Sequence, residues 1–272
     1  MTSRGRLVGQ GREAEIFEWG DGAVLRLMRD PAGGERAAQQ VEAMRAALEA
    51  GAPVPAAREL IEVDGRPGIV MDRVDGPALM DALARRPWTL FSVARTLGEL
   101  HAKLGTIEAP ADLLEQRAFL RMKISGAVGG ALPDPLASWA LEVLDGLPDG
   151  DRLCHGDYHV SNVLATPSGG VVIDWTNVTR GHPTGDFARS VLLTAMGEAP
   201  PGTPRIITML RRSLQGVFNG AYQRAYRRGL PVDDGSLERW KIAHVAARFF
   251  EGIESEYQAL TRYLEARAPR SA

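Results

Sequence analysis

The segment 163–173 brings Asn162 and Asp174 together, and no other stretch restricts the fold as tightly. Val163-Leu164-Ala165 and Val171-Val172-Ile173 are short apolar runs on either side of Pro167-Ser168-Gly169-Gly170, the composition of a β-hairpin. A hairpin returns the chain to its origin, so Asn162, just before the first strand, lies close to Asp174, just after the second. An amide oxygen and a carboxylate at such a loop mouth are hard oxygen donors suited to Mg²⁺, which completes its shell with water and phosphate. Asp157 stands five residues before Asn162 on a loop containing Gly156. Asp-x-x-x-x-Asn, a hairpin, then Asp is a spacing suited to phosphoryl transfer, with one carboxylate for the attacking hydroxyl and two ligands for a metal.

The chain around this hairpin changes texture once. From Leu7 to Met28 it reads as short strands with glycine punctuation, and Asp21-Gly22 is a hairpin signal. In Ala23–Met28 the period of two places Val24, Arg26 and Met28 on one face and Leu25 and Leu27 on the other. An Ala-, Gln- and Glu-rich helix is expected over 35–50, stopping at Gly51 ahead of Pro53 and Pro55. A second strand pair, 58–63 and 68–71, straddles Asp64-Gly65. Gly76-Pro77 marks the exit, with 72–75 as a hinge. Beyond it helices are expected from near Pro77 and Thr89 and over 112–126, 135–145, 184–197, 204–228 and 236–267. The expectation is an α+β chain of two lobes: a small β-rich lobe, 1–74, with one long helix, and a larger, mainly helical lobe, 75–272, carrying the hairpin.

His155-Gly156-Asp157-Tyr158-His159 running to Asn162, followed by Val172-Ile173-Asp174-Trp175, resembles the catalytic loop and metal-binding segment of the aminoglycoside phosphotransferase family, relatives of protein kinases and choline kinases. Gly181-His182-Pro183 running to Asp186 resembles a further family motif whose aspartate braces the catalytic loop. Gly51–Pro55 resembles the segment after the N-lobe helix, and 69–76 the hinge whose backbone meets adenine. The resemblance implies a two-lobed, protein-kinase-like fold and a small-molecule kinase that uses ATP or GTP with Mg²⁺. It implies that Asp157 orients the acceptor hydroxyl, that His155 fixes the loop by hydrogen bonding, and that Asn162 and Asp174 hold the metal. Met71, Asp72 and Val74 then fall at the nucleotide hinge.

Two positions depart from that pattern. Where the family places a lysine on the third strand this chain has Arg26, and the partner glutamate of the long helix falls near Gln40. Arg26 still offers a bidentate donor to phosphate, with Gln40 orienting it through a neutral hydrogen bond. Gly9 and Gly11, in a Gly-x-Gly before that strand, fit either a loop whose amides approach phosphate or a plain hairpin turn.

Composition removes several partner classes. With 32 Lys+Arg against 34 Asp+Glu, net charge −2, no broad basic field exists for nucleic acid or an anionic membrane. A single cysteine, Cys154, excludes an intrachain disulfide framework and points to a reducing compartment, and the N-terminal segment has no signal-peptide h-region; a cytoplasmic protein is expected. His155, Asp157 and His159 could serve a dinuclear hydrolase only with further ligands, and among the five histidines His101, His182 and His244 show no companion metal motif. A nucleotide-binding module without transfer activity is the other alternative, supported by Arg26 and Gln40 and opposed by the complete Asp157, Asn162, Asp174 set.

The acceptor is left open: an aminoglycoside or related antibiotic, which would make the protein a resistance enzyme, or a sugar, homoserine or amino-alcohol metabolite. Asp233, Asp234, Glu238, Glu251, Glu254 and Glu256 are candidates for amine recognition, though helices ordinarily show such residues to solvent and Arg248 stands at ion-pair spacing from Glu251. Trp240, Phe249, Phe250 and Tyr257 are expected in the core, His101 as a satisfied core or boundary histidine, Trp175 packed under the site, and Cys154 as a packed thiol.

Overall fold

Alternating strands and two glycine turns build the first layer. The computed structural model describes residues 4–11, 13–20, 22–196 and 205–269. Strands β1 (Leu7–Gln10), β2 (Ala14–Glu18), β3 (Ala23–Met28), β4 (Ala57–Val63) and β5 (Arg66–Asp72) form an antiparallel sheet in the order β1-β2-β3-β5-β4. Gly22 turns between β2 and β3 with φ +67°, while its neighbour Asp21 lies outside the described residues. The alternation in β3 is realised. Leu25 and Leu27 are fully buried with Ala23 and Val70 on one face, whereas Met28 joins the main core and Arg26 faces the cleft on the other.

Helix α1 (Gly34–Glu49) crosses the cleft-side face, burying Ala37, Gln40, Val41, Met44 and Ala47. It ends where Gly51 takes φ +72°, the left-handed geometry that closes helices at little cost for glycine. The main apolar cluster runs without a break from Met28, Val41 and Ile69 to Leu97, Phe187 and Trp240, so sheet and helices share one core.

The helical part contains α2 (Leu79–Arg85), α3 (Leu90–Leu104), α4 (Gln116–Ala127), α5 (Asp134–Asp145), α6 (Pro183–Met196), α7 (Arg205–Gly229), α8 (Asp234–Arg248) and α9 (Glu254–Glu265). A single helix over 236–267 was the expectation. Instead α8 gives way to a 3-10 turn at Phe249–Glu251, and Gly252 at φ +70° starts a new direction. The break matters because it turns Phe250 and Glu251 into the cleft. Asp233 caps α8 by accepting from the Ser236 amide at 2.7 Å.

The expected hairpin is β7 (Val163–Thr166) and β8 (Gly169–Val172), extended by the Ile173 amide donating to Asn162 carbonyl oxygen at 2.9 Å. A second pair, β6 (Arg152–Cys154) with β9 (Thr179–Gly181), holds the two ends of the loop region. Gly76 touches the hairpin so closely that a Cβ there would sit 2.1 Å from the Ala165 carbonyl oxygen. This is an α+β, two-lobed arrangement of a small sheet and a larger helical part. No described helix is long and apolar enough to cross a membrane.

Candidate active site

The geometry of the 155–162 loop starts from Asp186 on α6. Its two carboxylate oxygens accept the backbone amides of His155 and Gly156, each at 2.7 Å. The same carboxylate receives His101 Nε2 at 3.0 Å, while His101 Nδ1 accepts from the Tyr222 hydroxyl at 2.6 Å. All three side chains are buried. Burial raises the Asp186 pKa, but His101 and the Gly156 amide outweigh it and hold the carboxyl below its ordinary value. His101 is thus a satisfied core histidine that also supports the loop through Asp186. Gly156 has φ +78°, and a Cβ would lie 2.1 Å from the Asn177 carbonyl oxygen; only glycine fits there.

His155 is fully buried and neutral in its bonding pattern. Nε2 donates to the Ile173 carbonyl at 3.0 Å and Nδ1 accepts from the Asp157 amide at 3.3 Å, so it ties loop to hairpin and does not reach the cleft. Trp175 packs against it, ring centroids 4.9 Å apart, and is itself buried. Cys154 is buried beside the loop, with burial pushing its thiol pKa up, as expected of a packed thiol.

Asp157, Asn162 and Asp174 all line one cleft of about 1150 Å³ between the sheet and the helices. The Asn162 amide nitrogen donates to the Asp157 carbonyl at 2.9 Å and approaches Asp157 Oδ2 at 3.3 Å, which leaves its Oδ1 toward the cleft. Asp174 has φ +61°, a left-handed conformation costing about 1 kcal/mol outside glycine. Its Oδ1 accepts from Thr176 Oγ1 at 2.5 Å and Arg26 Nη2 at 3.0 Å, leaving the second oxygen of a half-exposed side chain for a ligand. Two hard oxygens on adjacent backbone with unused lone pairs fit a Mg²⁺ that takes its remaining ligands from phosphate and water.

Burial tends to raise the Asp157 pKa. The His159 imidazole, with Nε2 3.6 Å away, and Arg189 at 3.7 Å bring it instead to about 2. The carboxylate is therefore ionised throughout the neutral range.

Arg26 is buried and reaches across the cleft. Nη1 donates to Gln40 Oε1 at 3.1 Å, and Nη2 to Asp174 and to Thr176 Oγ1. Gln40 Nε2 is buried with no partner. Gly9, Gly11, Met71, Asp72 and Val74 line the same cleft. The Gly11 amide is spent inside its turn on the Ala14 carbonyl at 2.8 Å, and the Asp72 carboxylate is paired with Arg58 Nε at 2.6 Å.

The structure adds cleft residues that sequence reasoning missed. Arg189 on α6, Lys123 on α4 and Arg36 on α1 all line it. Arg189 follows Asp186 by one helical turn, a spacing that could have flagged it; Lys123 and Arg36 carry no local signal. Phe250 is a correction: it lines the cleft, half exposed, where the core was expected. Phe249 and Trp240 are buried and Tyr257 packs against the core, as expected. Glu251 and Glu256 also depart from their solvent-facing expectation, each being a mostly buried partner of Arg248. Among the described residues no group of three His, Cys, Asp or Glu side chains is arranged to hold a metal.

The fold has known relatives. An apo aminoglycoside phosphotransferase APH(4)-Ia, in a thermostable mutant, superposes with TM-score 0.67 at 16% identity over 97% of this chain and 94% of its own. The amicoumacin kinase hAmiN, in complex with AMP-PNP and Ca²⁺, gives 0.66 at 13% identity over 96% and 86%. A putative fructosamine-3-kinase from Haemophilus somnus gives 0.65 at 12% identity over 98% and 91%. In sequence, acyl-CoA dehydrogenase family member 11 of Gallus gallus is 27% identical over 171 residues, 55% of this chain. That match spans 22% of the Gallus gallus protein, about a fifth of its length. Residues 4–235 match the family model described as the phosphotransferase enzyme family, and the chain belongs to that family.

Proposed function

We propose that this phosphotransferase moves the γ-phosphoryl group of a nucleoside triphosphate, ATP or GTP, to a hydroxyl of a small-molecule acceptor, with Mg²⁺ held by Asn162 and Asp174. The observation that carries the reading is the convergence of Asp157, Asn162, Asp174 and Arg26 on one cleft. The acceptor oxygen attacks the γ-phosphorus, the bond to the bridging oxygen breaks, and the nucleoside diphosphate leaves with that electron pair. The hydroxyl proton passes toward Asp157 and then to solvent. A carboxylate with a pKa of about 2 is a weak base, so its contribution is to aim the hydroxyl and accept the proton late. A loose transition state requires little more than that positioning. The metal, when bound, neutralises charge on the phosphates. In this reading Arg26 donates to those phosphates, and Met71, Asp72 and Val74 meet the base; all four line the cleft. Gly9 and Gly11 line the same cleft, the Gly11 amide being committed to the Ala14 carbonyl.

Magnesium-dependent release of nucleoside diphosphate by the purified protein, compared with Asp157→Asn, tests this. Loss of turnover by about 10²-fold or more in the variant is expected. Full turnover in Asp157→Asn would remove the assignment. Nucleotide binding with no turnover on any acceptor would favour a regulatory module.

A further inference from the structure

The acceptor wall of the cleft is cationic. Lys123 on α4, Arg189 on α6 and Arg248 at the end of α8 converge on Glu251: Arg189 Nη2 at 2.8 Å, Lys123 Nζ at 3.7 Å, and Arg248 in closer contact. Arg248 is also paired bidentately, at 2.7 and 2.9 Å, with Glu256, which does not line the cleft. The side chains of the three cations and Glu251 are at least four-fifths buried, so solvent screens them little. Glu251 is the one acid that α4, α6, α8 and the turn after α8 contribute to the cleft among the described residues. Arg36 adds a further cation from α1.

His244 and Lys123 respond to the neighbouring cations, whereas for the Arg248 guanidinium burial is outweighed by Glu256 and Glu251, which hold it above its ordinary value. Burial and then Arg189 push the His244 imidazole down to about 3, with Lys123 also lowering it. Lys123 is itself lowered by burial and by Arg189 and Arg36 in spite of Glu251. Phe119 and the half-exposed Phe250 supply an apolar surface on the same wall.

Resting on the phosphotransferase reading above, we infer that the acceptor is a hydroxyl-bearing anion with an apolar body. Its carboxylate or phosphate group is received by Lys123 and Arg189, with Arg248 held beside them by Glu251 and Glu256, and its hydroxyl is delivered to Asp157. Glu251 holds that cradle together when no acceptor is bound. A polycationic acceptor meets the opposite situation, because the one wall carboxylate is already shared by three cations and any ammonium placed there adjoins all of them. Arg189, 3.7 Å from Asp157, links the cradle to the reacting hydroxyl.

The test separates acceptor class from phosphotransfer itself. AMP-PNP binding is measured by calorimetry, and nucleoside diphosphate release is measured with four sets of acceptors. These are aryl and alkyl hydroxycarboxylates, sugar phosphates, the neutral methyl esters of the same hydroxycarboxylates, and cationic acceptors comprising amino alcohols and hygromycin B. The first two sets separate carboxylate from phosphate as the recognised group. Preference for an anion over its ester is expected, with Lys123→Met lowering that preference in kcat/KM about tenfold, the scale of one charge-assisted contact. Glu251→Gln is expected to raise it. Turnover confined to the cationic set, or AMP-PNP binding with no anion turned over, overturns the inference and leaves the phosphotransferase reading standing. A protein that neither binds AMP-PNP nor turns over any acceptor overturns both.

Discussion

Arg26 Nη2 lies 3.0 Å from Asp174 Oδ1, joining the centre of the sheet to the loop after the hairpin across 148 residues of sequence. A strand-borne guanidinium and a hairpin-borne carboxylate thus meet in the cleft proposed to take the nucleotide. Arg26 is held by Asp174, Thr176 and Gln40, so a phosphate arriving there meets a pre-oriented fork.

Arg26→Ala removes that fork. AMP-PNP affinity measured by calorimetry is expected to fall about tenfold or more, the loss of a charge-assisted contact. Arg26→Lys should recover only part of it, because one ammonium cannot serve Gln40 and Asp174 with the geometry of a guanidinium.

Gln40 carries an orphan amide nitrogen in a fully buried position. Gln40→Glu replaces that donor with a second acceptor for Arg26 and turns a neutral bond into an ion pair. The urea unfolding midpoint is expected to rise, whereas Gln40→Leu, which leaves Arg26 Nη1 only the weak Met28 thioether acceptor at 2.9 Å, should cost about 1–3 kcal/mol.

The depressed pKa of Asp157 sets two pH dependences. Since the unfolded chain binds this proton near pH 3.8 and the folded protein only near 2, the stabilisation is complete above the unfolded value and disappears as pH falls through about 2. Asp157→Asn should remove about 2 kcal/mol of that dependence, read from unfolding curves between neutral pH and pH 2. Over the range from pH 8 to about 5, kcat should show no ionisation belonging to Asp157.

Gly156→Ala places a methyl group against the Asn177 carbonyl and forces φ +78° on a residue with a Cβ. A stability loss of about 2–4 kcal/mol is expected in urea titration. Turnover should fall further than stability explains, because Asp157 rides on the same loop.

Local pattern made much of this molecule legible. The period of two in β3 placed Arg26 opposite Leu25 and Leu27, Gly51 with its prolines marked the end of α1, and the apolar runs around Gly169-Gly170 made the hairpin. Each is a short-range effect of side-chain alternation or backbone freedom. The joint after α8 was not legible. Phe250 and Glu251 continue a helical composition, and the left-handed Gly252 breaks it in a place where glycine alone does not compel a break.

His101 shows the same boundary at one residue. Helical spacing put it beside an apolar stripe and so marked it as a core histidine. Its bond to Asp186, and through Asp186 to the amides of His155 and Gly156, depends on α3, α6 and α7 packing together.

By itself the sequence determined the elements and the juxtaposition of Asn162 with Asp174, because a hairpin closes over a few residues and its geometry is local. Tertiary structure alone decided the charge of the acceptor wall. Lys123, Arg189, Arg248 and Glu251 come from α4, α6, α8 and the turn beyond it, and only the packing of those helices makes three separate cations share one carboxylate.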